Sequence, residues 1–117
     1  MLAALRRHEA EGLGMSSITV AELEFGVAKR ASARNQAALK QFLEPLAIAN
    51  FDRAAASACG RLRAQLEAAG TPIGPLDTQI AAQALTLGIT LVSNNLCEFQ
   101  RVPGLRLVNW VRAGAGG

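Results

Sequence analysis

Hydrophobic residues recur along the chain in two patterns, a helical spacing and short continuous runs. The helical spacing predicts helices at 2–11, 20–28, 33–44, 53–69 and 75–87. The continuous runs predict extended segments at 15–19, 46–51, 89–93 and 105–108. Because strands alternate with helices, we expect an α/β domain in which a parallel sheet is covered by helices on both faces.

Residues at the helix ends support two of these assignments. Asp52 is a favourable N-cap for the helix that follows it, and Gly70 is expected to end that helix. Pro75 suits the first position of the next helix, and Gly88 is expected to terminate it.

The composition is typical of one folded domain. The chain has 117 residues, of which 50% are hydrophobic and 18% charged. We place a single domain at 1–112 and a disordered glycine-rich tail at 113–117. The net charge of +3 favours an acidic partner such as nucleic acid, although the excess is small. The two cysteines fit a reducing cytosol, and the sequence has no apolar run long enough to span a membrane and no signal-peptide pattern, so a cytoplasmic location is expected.

The rare residue types limit the chemistry. Cys59 and Cys97 are the only cysteines, and His8 is the only histidine. Their spacing does not suit a zinc site. One histidine also leaves little scope for a Ser-His or Cys-His nucleophile. Acidic residues therefore become the main candidates for a reactive site.

Three acids follow the predicted strands. Glu22 comes after 15–19, Asp77 lies in the first turn of 75–87, and Glu98 comes after 89–93. In a parallel sheet, the carboxyl ends of the strands meet at one edge, where ligands bind. Clustered carboxylates repel one another, and a divalent cation such as Mg²⁺ relieves that repulsion. Such a site can cut a phosphodiester.

Each acid also has an ordinary explanation. Thr19 and Glu22 have the spacing of a capping box, in which Thr19 caps a helix and Glu22 reaches back to it. Asp77 is stabilised by the dipole of its helix, and Glu98 can be a solvated surface acid.

For other polar residues too, both a role in a site and an ordinary structural role remain open. Asn94 and Asn95 favour a turn or donate to a phosphate or a metal-bound water. Three arginines lie on solvated faces or line a groove: Arg61, Arg63 and Arg101.

Four blocks of sequence resemble the PIN-domain toxins of the VapC type. Residues 17–26 (SITVAELEFG), 74–82 (GPLDTQIAA) and 90–99 (TLVSNNLCEF) resemble the second, third and fourth acidic motifs of that family. Residues 103–110 (PGLRLVNW) resemble its last strand. The blocks occur in the family's order and span nearly the whole chain.

The resemblance implies a Mg²⁺- or Mn²⁺-dependent endoribonuclease, the toxin of a type II toxin–antitoxin system. It also implies an RNA substrate, a VapB-type antitoxin and a homodimer. By position, Glu22 and Asp77 match acidic metal ligands. Asn95 stands where many relatives have aspartate, so Glu98 is assigned as the third ligand and Asn95 as a further catalytic residue.

The beginning of the chain departs from the family. VapC toxins open with a hydrophobic strand that ends in Asp-Thr-Asn, and no such motif is present here. Residues 2–11 resemble the family's second helix, so the first strand and helix are expected to be missing from the middle of the fold. A late start codon or a decayed gene would each explain this. An alternative function is therefore a non-catalytic remnant that binds a VapB-type antitoxin, and a weaker one is an RNA-binding protein without activity.

Overall fold

A computed structural model describes residues 3–6, 14–93 and 95–109. The strands in these ranges are β1 (Ala3–Arg6), β2 (Gly14–Ser16), β3 (Ala47–Ala49), β4 (Thr90–Ser93) and β5 (Leu107–Asn109). The helices are α1 (Ser17–Arg30), α2 (Ala33–Leu43), α3 (Arg53–Ala68), α4 (Pro75–Leu87) and α5 (Leu96–Phe99). The predicted tail at 113–117, Asn94 and Trp110 lie outside the described residues.

The five strands form one sheet in the order β3-β2-β1-β4-β5. The β2–β3 and β4–β5 pairs are parallel, whereas β1 is antiparallel to both of its neighbours. Four strands therefore run in one direction and the middle strand runs in the other. The predicted α/β fold, with a mostly parallel sheet and flanking helices, is confirmed, and β1 is the antiparallel strand among those described.

The middle strand corrects the prediction of a helix at 2–11. Ala3–Arg6 is extended and pairs with β2 and β4, while residues 7–13 lie outside the described residues. Alanine, leucine and arginine are all good helix formers, which made the local pattern misleading. Because Ala3, Ala4 and Leu5 are buried between two other strands, tertiary packing overrides that preference. The middle of the sheet is thus filled rather than open.

The start of α1 also differs from the prediction. Ser16 is the N-cap, and its Oγ accepts a hydrogen bond of 3.0 Å from the backbone N–H of Ile18. Thr19 consequently lies inside the helix, so the predicted capping box of Thr19 and Glu22 is wrong. The buried side chain of Gln83 accepts a hydrogen bond from the Ser16 hydroxyl and ties this cap to α4.

The two longest predicted helices are confirmed. Asp52 caps α3, since its Oδ1 accepts from the backbone N–H of Ala55 at 2.9 Å. Pro75 begins α4, and Gly88 ends it with a φ of 66°, a conformation that favours glycine. These helices pack together over the sheet, in a core that includes Leu5, Leu62, Leu66, Ile80, Ala81, Leu91 and Phe99.

None of the described helices is a candidate membrane span. Within 3–6, 14–93 and 95–109, no helix is both long enough and apolar enough to cross a bilayer.

Candidate functional site

One edge of the sheet gathers the ends of three strands. The carboxyl ends of β2 and β4 lie here, and because β1 is reversed its first residue, Ala3, pairs with Ser93 at the end of β4. A cavity of about 270 Å³ opens at this edge. It is lined by Ala3, Thr19, Glu22, Leu76, Asp77, Ile80, Ser93 and Phe99.

The beginning of α4 places Asp77 at the cavity. Pro75 occupies the first turn, and Gly74 is an N-cap without a side chain. Thr78 strengthens this turn because its hydroxyl donates to the carbonyl oxygen of Gly74 at 2.8 Å. Asp77 is half-buried in the first turn, where the helix dipole favours a negative charge.

Asp77 and Glu98 form a close carboxyl pair. They are hydrogen-bonded to each other, and Glu98 Oε2 also accepts from the backbone N–H of Gly74 at 3.2 Å. Burial, followed by the hydrogen bond and the charge of Glu98, raises the pKa of Asp77 to about 7. The hydrogen bond from Asp77, followed by that from Gly74, lowers the pKa of Glu98. The pair therefore holds one proton on Asp77 and one negative charge on Glu98 in mildly acidic solution.

Asn95 completes this group. Its Nδ2 donates to Asp77 Oδ2 at 3.1 Å, and its backbone N–H donates to Ser93 Oγ at 3.0 Å. The first bond opposes the rise in the pKa of Asp77, because it favours the charged carboxylate. Asn95 thus connects the end of β4 to the carboxyl pair and fixes the orientation of Asp77.

Glu22 lies at the rim of the same cavity. It is an exposed residue of α1, one helical turn beyond Thr19. Within the described part of the chain, no three acidic, cysteine or histidine side chains lie close enough to hold one metal ion together. The structure therefore brings Asp77, Glu98 and Asn95 into contact and leaves Glu22 apart from them.

The carboxyl pair fits an oxygen-preferring divalent cation. Burial and the neighbouring Glu98 raise the pKa of Asp77, so that Asp77 keeps its proton in mildly acidic solution. A cation between them would remove the need for that proton. Mg²⁺ commonly uses one or two carboxylates, with water and substrate phosphate as its other ligands. Asp77 and Glu98 satisfy this requirement, whereas Ala3 at the middle of the sheet adds a methyl group and no charge.

Two of the three arginines proposed for a groove have local partners. Arg63 forms an exposed ion pair with Glu67 at 3.0 Å, and the Arg101 guanidinium donates to the carbonyl oxygen of Pro72 at 2.7 Å. Arg61 is exposed on α3. A larger groove of about 560 Å³ lies between α1 and α2, but Asp77 and Glu98 do not line it.

Sequence reasoning missed two polar residues that line the cavity, Thr19 and Ser93. Thr19 was assigned as a helix cap, and Ser93 was treated only as part of a strand. Once α1 is known to begin at Ser17, the spacing of three residues places Thr19 and Glu22 on one helix face. The sequence alone did not show which serine or threonine begins the helix.

Comparisons with known proteins identify the family to which this chain belongs. The PIN domain family profile matches residues 2–105. The tRNA(fMet)-specific endonuclease VapC of Salmonella typhimurium is 43% identical over 97 residues, 82% of this chain and 74% of that protein. Ribonuclease VapC2 of Haemophilus influenzae is 46% identical over 98 residues, 83% of this chain and 74% of that protein.

Solved structures show the same fold. DNA-bound VapBC from Salmonella typhimurium superposes with a TM-score of 0.77 at 42% identity, over 82% of this chain and 74% of that one. VapBC2 from Rickettsia felis, bound to a promoter DNA fragment, superposes with a TM-score of 0.76 at 43% identity, over 83% of this chain and 74% of that one.

Proposed function

Because the chain belongs to the PIN-domain family, with VapC ribonucleases among its relatives, we propose that it is a divalent-metal-dependent endoribonuclease, the toxin of a type II toxin–antitoxin system. The observation that carries this proposal is the pair of Asp77 and Glu98, held at the carboxyl edge of the sheet by Asn95 and Gly74. The names of the relatives support RNA as the substrate.

Mg²⁺ or Mn²⁺ is the proposed cofactor, with Asp77 and Glu98 as its ligands and Glu22 as a third acid at the cavity rim. When bound, the cation neutralises charge on the phosphate and lowers the pKa of a water molecule. Asn95 orients the Asp77 carboxyl, and the N–H of Gly74 holds that of Glu98. The buried side chains of Ile80 and Phe99 limit the access of bulk water from the core side.

A VapB-type antitoxin is the proposed protein partner. Several structurally similar proteins are VapBC complexes, which supports such a partner. Phe25 and Phe42, on α1 and α2, are 64% and 45% exposed and offer apolar surface for an interface. A homodimer is proposed on the family resemblance.

Transfer RNA cleavage tests the proposed activity. The chain is incubated with labelled transfer RNA in Mg²⁺, in Mn²⁺ and in EDTA, beside Asp77→Asn and Glu98→Gln. We expect cleavage in either metal, and a loss of about a hundredfold or more for each variant. Glu67→Gln is the control, because Glu67 is exposed on α3 and pairs with Arg63. Cleavage in EDTA, or by both site variants at the normal rate, would contradict the proposal.

A second candidate function is antitoxin binding without cleavage. It is supported by the alanine at the middle of the sheet and by the separation of Glu22 from the carboxyl pair. It predicts that the chain binds a VapB-type antitoxin but leaves transfer RNA intact in both metals. Detectable cleavage that EDTA abolishes would exclude it.

A further inference from the structure

Thr19 carries a buried polar group that the proposed mechanism does not use. Its side chain lines the cavity beside Glu22 and Asp77, and the residue is only 4% exposed. Among the described residues, its hydroxyl is the buried side-chain group that has no hydrogen-bond partner. Buried hydroxyls are usually paired, so one that is not requires an explanation.

The neighbouring polar groups are already engaged. Ser16 Oγ caps α1 and donates to Gln83. Ser93 Oγ accepts from Asn95, whose side chain donates to Asp77. A threonine inside a helix commonly bonds to a carbonyl of the preceding turn, but Thr19 makes no such bond. Because threonine in a helix populates two χ1 rotamers, the unpaired Thr19 hydroxyl can turn towards an acceptor in the cavity without breaking a hydrogen bond.

The charges around the cavity indicate which ligand would use this hydroxyl. Asp77 and Glu22 line the cavity with carboxyl groups, and Glu98 bonds to Asp77. Carboxylates only accept hydrogen bonds when ionised, and the oxygens of a phosphodiester also only accept. A bound phosphate therefore needs donors from the protein in addition to a cation. The Thr19 hydroxyl is free to donate a hydrogen bond, and a cavity of about 270 Å³ has room for a phosphate group.

We propose that Thr19 is a substrate-positioning residue whose Oγ donates a hydrogen bond to a non-bridging phosphate oxygen of the RNA strand. The proposal rests on the proposed ribonuclease function. It adds a residue that contacts the phosphate directly, next to the acids that would hold the cation. It also accounts for a buried hydroxyl that otherwise destabilises the fold.

The first test compares three variants in transfer RNA cleavage. Thr19→Val keeps the shape of the side chain but removes the donor, and we expect kcat/KM to fall about tenfold to a hundredfold, as for the loss of one hydrogen bond to a charged group. Thr19→Ser keeps the hydroxyl and should restore most of the rate. Thr86→Val is the matched control, because Thr86 is exposed near the end of α4. An unchanged rate for Thr19→Val, or an equal loss for Thr19→Ser, would overturn the proposal.

The stability of Thr19→Val distinguishes a role of Thr19 in positioning the substrate from a role in supporting the fold. Thr19→Val removes an unpaired buried hydroxyl, so its urea midpoint should equal or exceed that of the parent chain. A clearly lower midpoint would mean that the hydroxyl supports the fold, and the proposal would fail. A higher half-saturating Mg²⁺ concentration with unchanged RNA affinity would assign the hydroxyl to a cation-bound water instead, which also overturns it.

RNA binding provides a readout that does not depend on cleavage. Fluorescence anisotropy compares the affinity of Asp77→Asn for labelled transfer RNA with that of the double variant carrying Thr19→Val. We expect the double variant to bind about tenfold more weakly. If the parent chain does not cut RNA, the proposed ribonuclease function fails. The RNA-binding measurement alone then decides whether Thr19 positions a phosphate. Weaker binding then supports the role of Thr19, and equal or absent binding overturns it.

Discussion

Asp77→Asn is expected to stabilise the metal-free protein at alkaline pH while it removes activity. The pKa of Asp77 is raised from 3.8 to about 7 in the folded chain, by burial first and then by Glu98. Folding therefore takes up a proton between these values, and the stability present below pH 4 is lost as the pH rises through 7. Asparagine resembles the protonated carboxyl, since it donates to Glu98 and accepts from Asn95 without a charge.

The size of the effect follows from the pKa. A rise from 3.8 to about 7 corresponds to about 4 kcal/mol at most, at ~1.4 kcal/mol for each pKa unit. Asp77 is only half-buried, so solvent screening reduces this value. The lowered pKa of Glu98 acts in the opposite sense, because its contribution is present at high pH and lost on acidification. We expect Asp77→Asn to gain about 1–2 kcal/mol at pH 8 and almost nothing at pH 4.

Urea unfolding in EDTA at pH 4 and pH 8 measures this difference. With a slope of about 2 kcal/mol per molar urea, the midpoint at pH 8 should rise by roughly 0.5–1 M. Asp52→Asn is the control, because asparagine caps a helix as well as aspartate does and α3 should lose little stability. Added Mg²⁺ should raise the midpoint of the parent chain at pH 8 and not that of Asp77→Asn. A gain of the same size at both pH values would refute this reasoning.

Four further changes test the packing and the site. Leu62→Ala should destabilise by about 2–4 kcal/mol in urea unfolding because Leu62 is buried in the core, and the exposed Arg61→Ala should change stability by less than about 0.5 kcal/mol. Gln83→Leu should cost about 1–3 kcal/mol in the same assay, since it leaves Ser16 and the carbonyl of Ala49 without a side-chain partner. Glu98→Gln should weaken Mg²⁺ binding about tenfold or more by calorimetry, and an unchanged affinity would remove Glu98 from the metal site. Ala3→Asp should lower the melting temperature in EDTA but raise Mg²⁺ affinity, because it adds a carboxylate at the middle of the sheet edge.

Local signals predicted the helices of the second half of the chain well. The cap at Asp52, the proline at 75 and the glycine at 88 act within one helical turn, so short stretches of sequence contain the information. The same signals were ambiguous before α1, where Ser16 and Thr19 are both possible caps. Gln83 binds the Ser16 side chain from 67 residues away, and this contact was not visible locally.

The site was predicted in its parts but not in its arrangement. The first turn of α4 and the position after β4 pointed to Asp77 and Glu98, but their pairing depends on α5 and on the N–H of Gly74, 24 residues from Glu98. Glu22 was expected to bind the same metal ion as Asp77 and Glu98, yet its helix places it at the cavity rim. The prediction of a helix at 2–11 failed for a similar reason, since only the surrounding strands make Ala3–Arg6 extended.

The reversed middle strand also affects the order in which the chain can fold during synthesis. Ala4 pairs with Met15 on one side, a partner that the ribosome supplies almost at once. On the other side it pairs with Val92, 88 positions further along the chain. At roughly 5–20 residues per second, that side of β1 waits several seconds for its partner. During this interval the first strand exposes an unpaired backbone edge, the kind of surface on which nascent chains associate with one another.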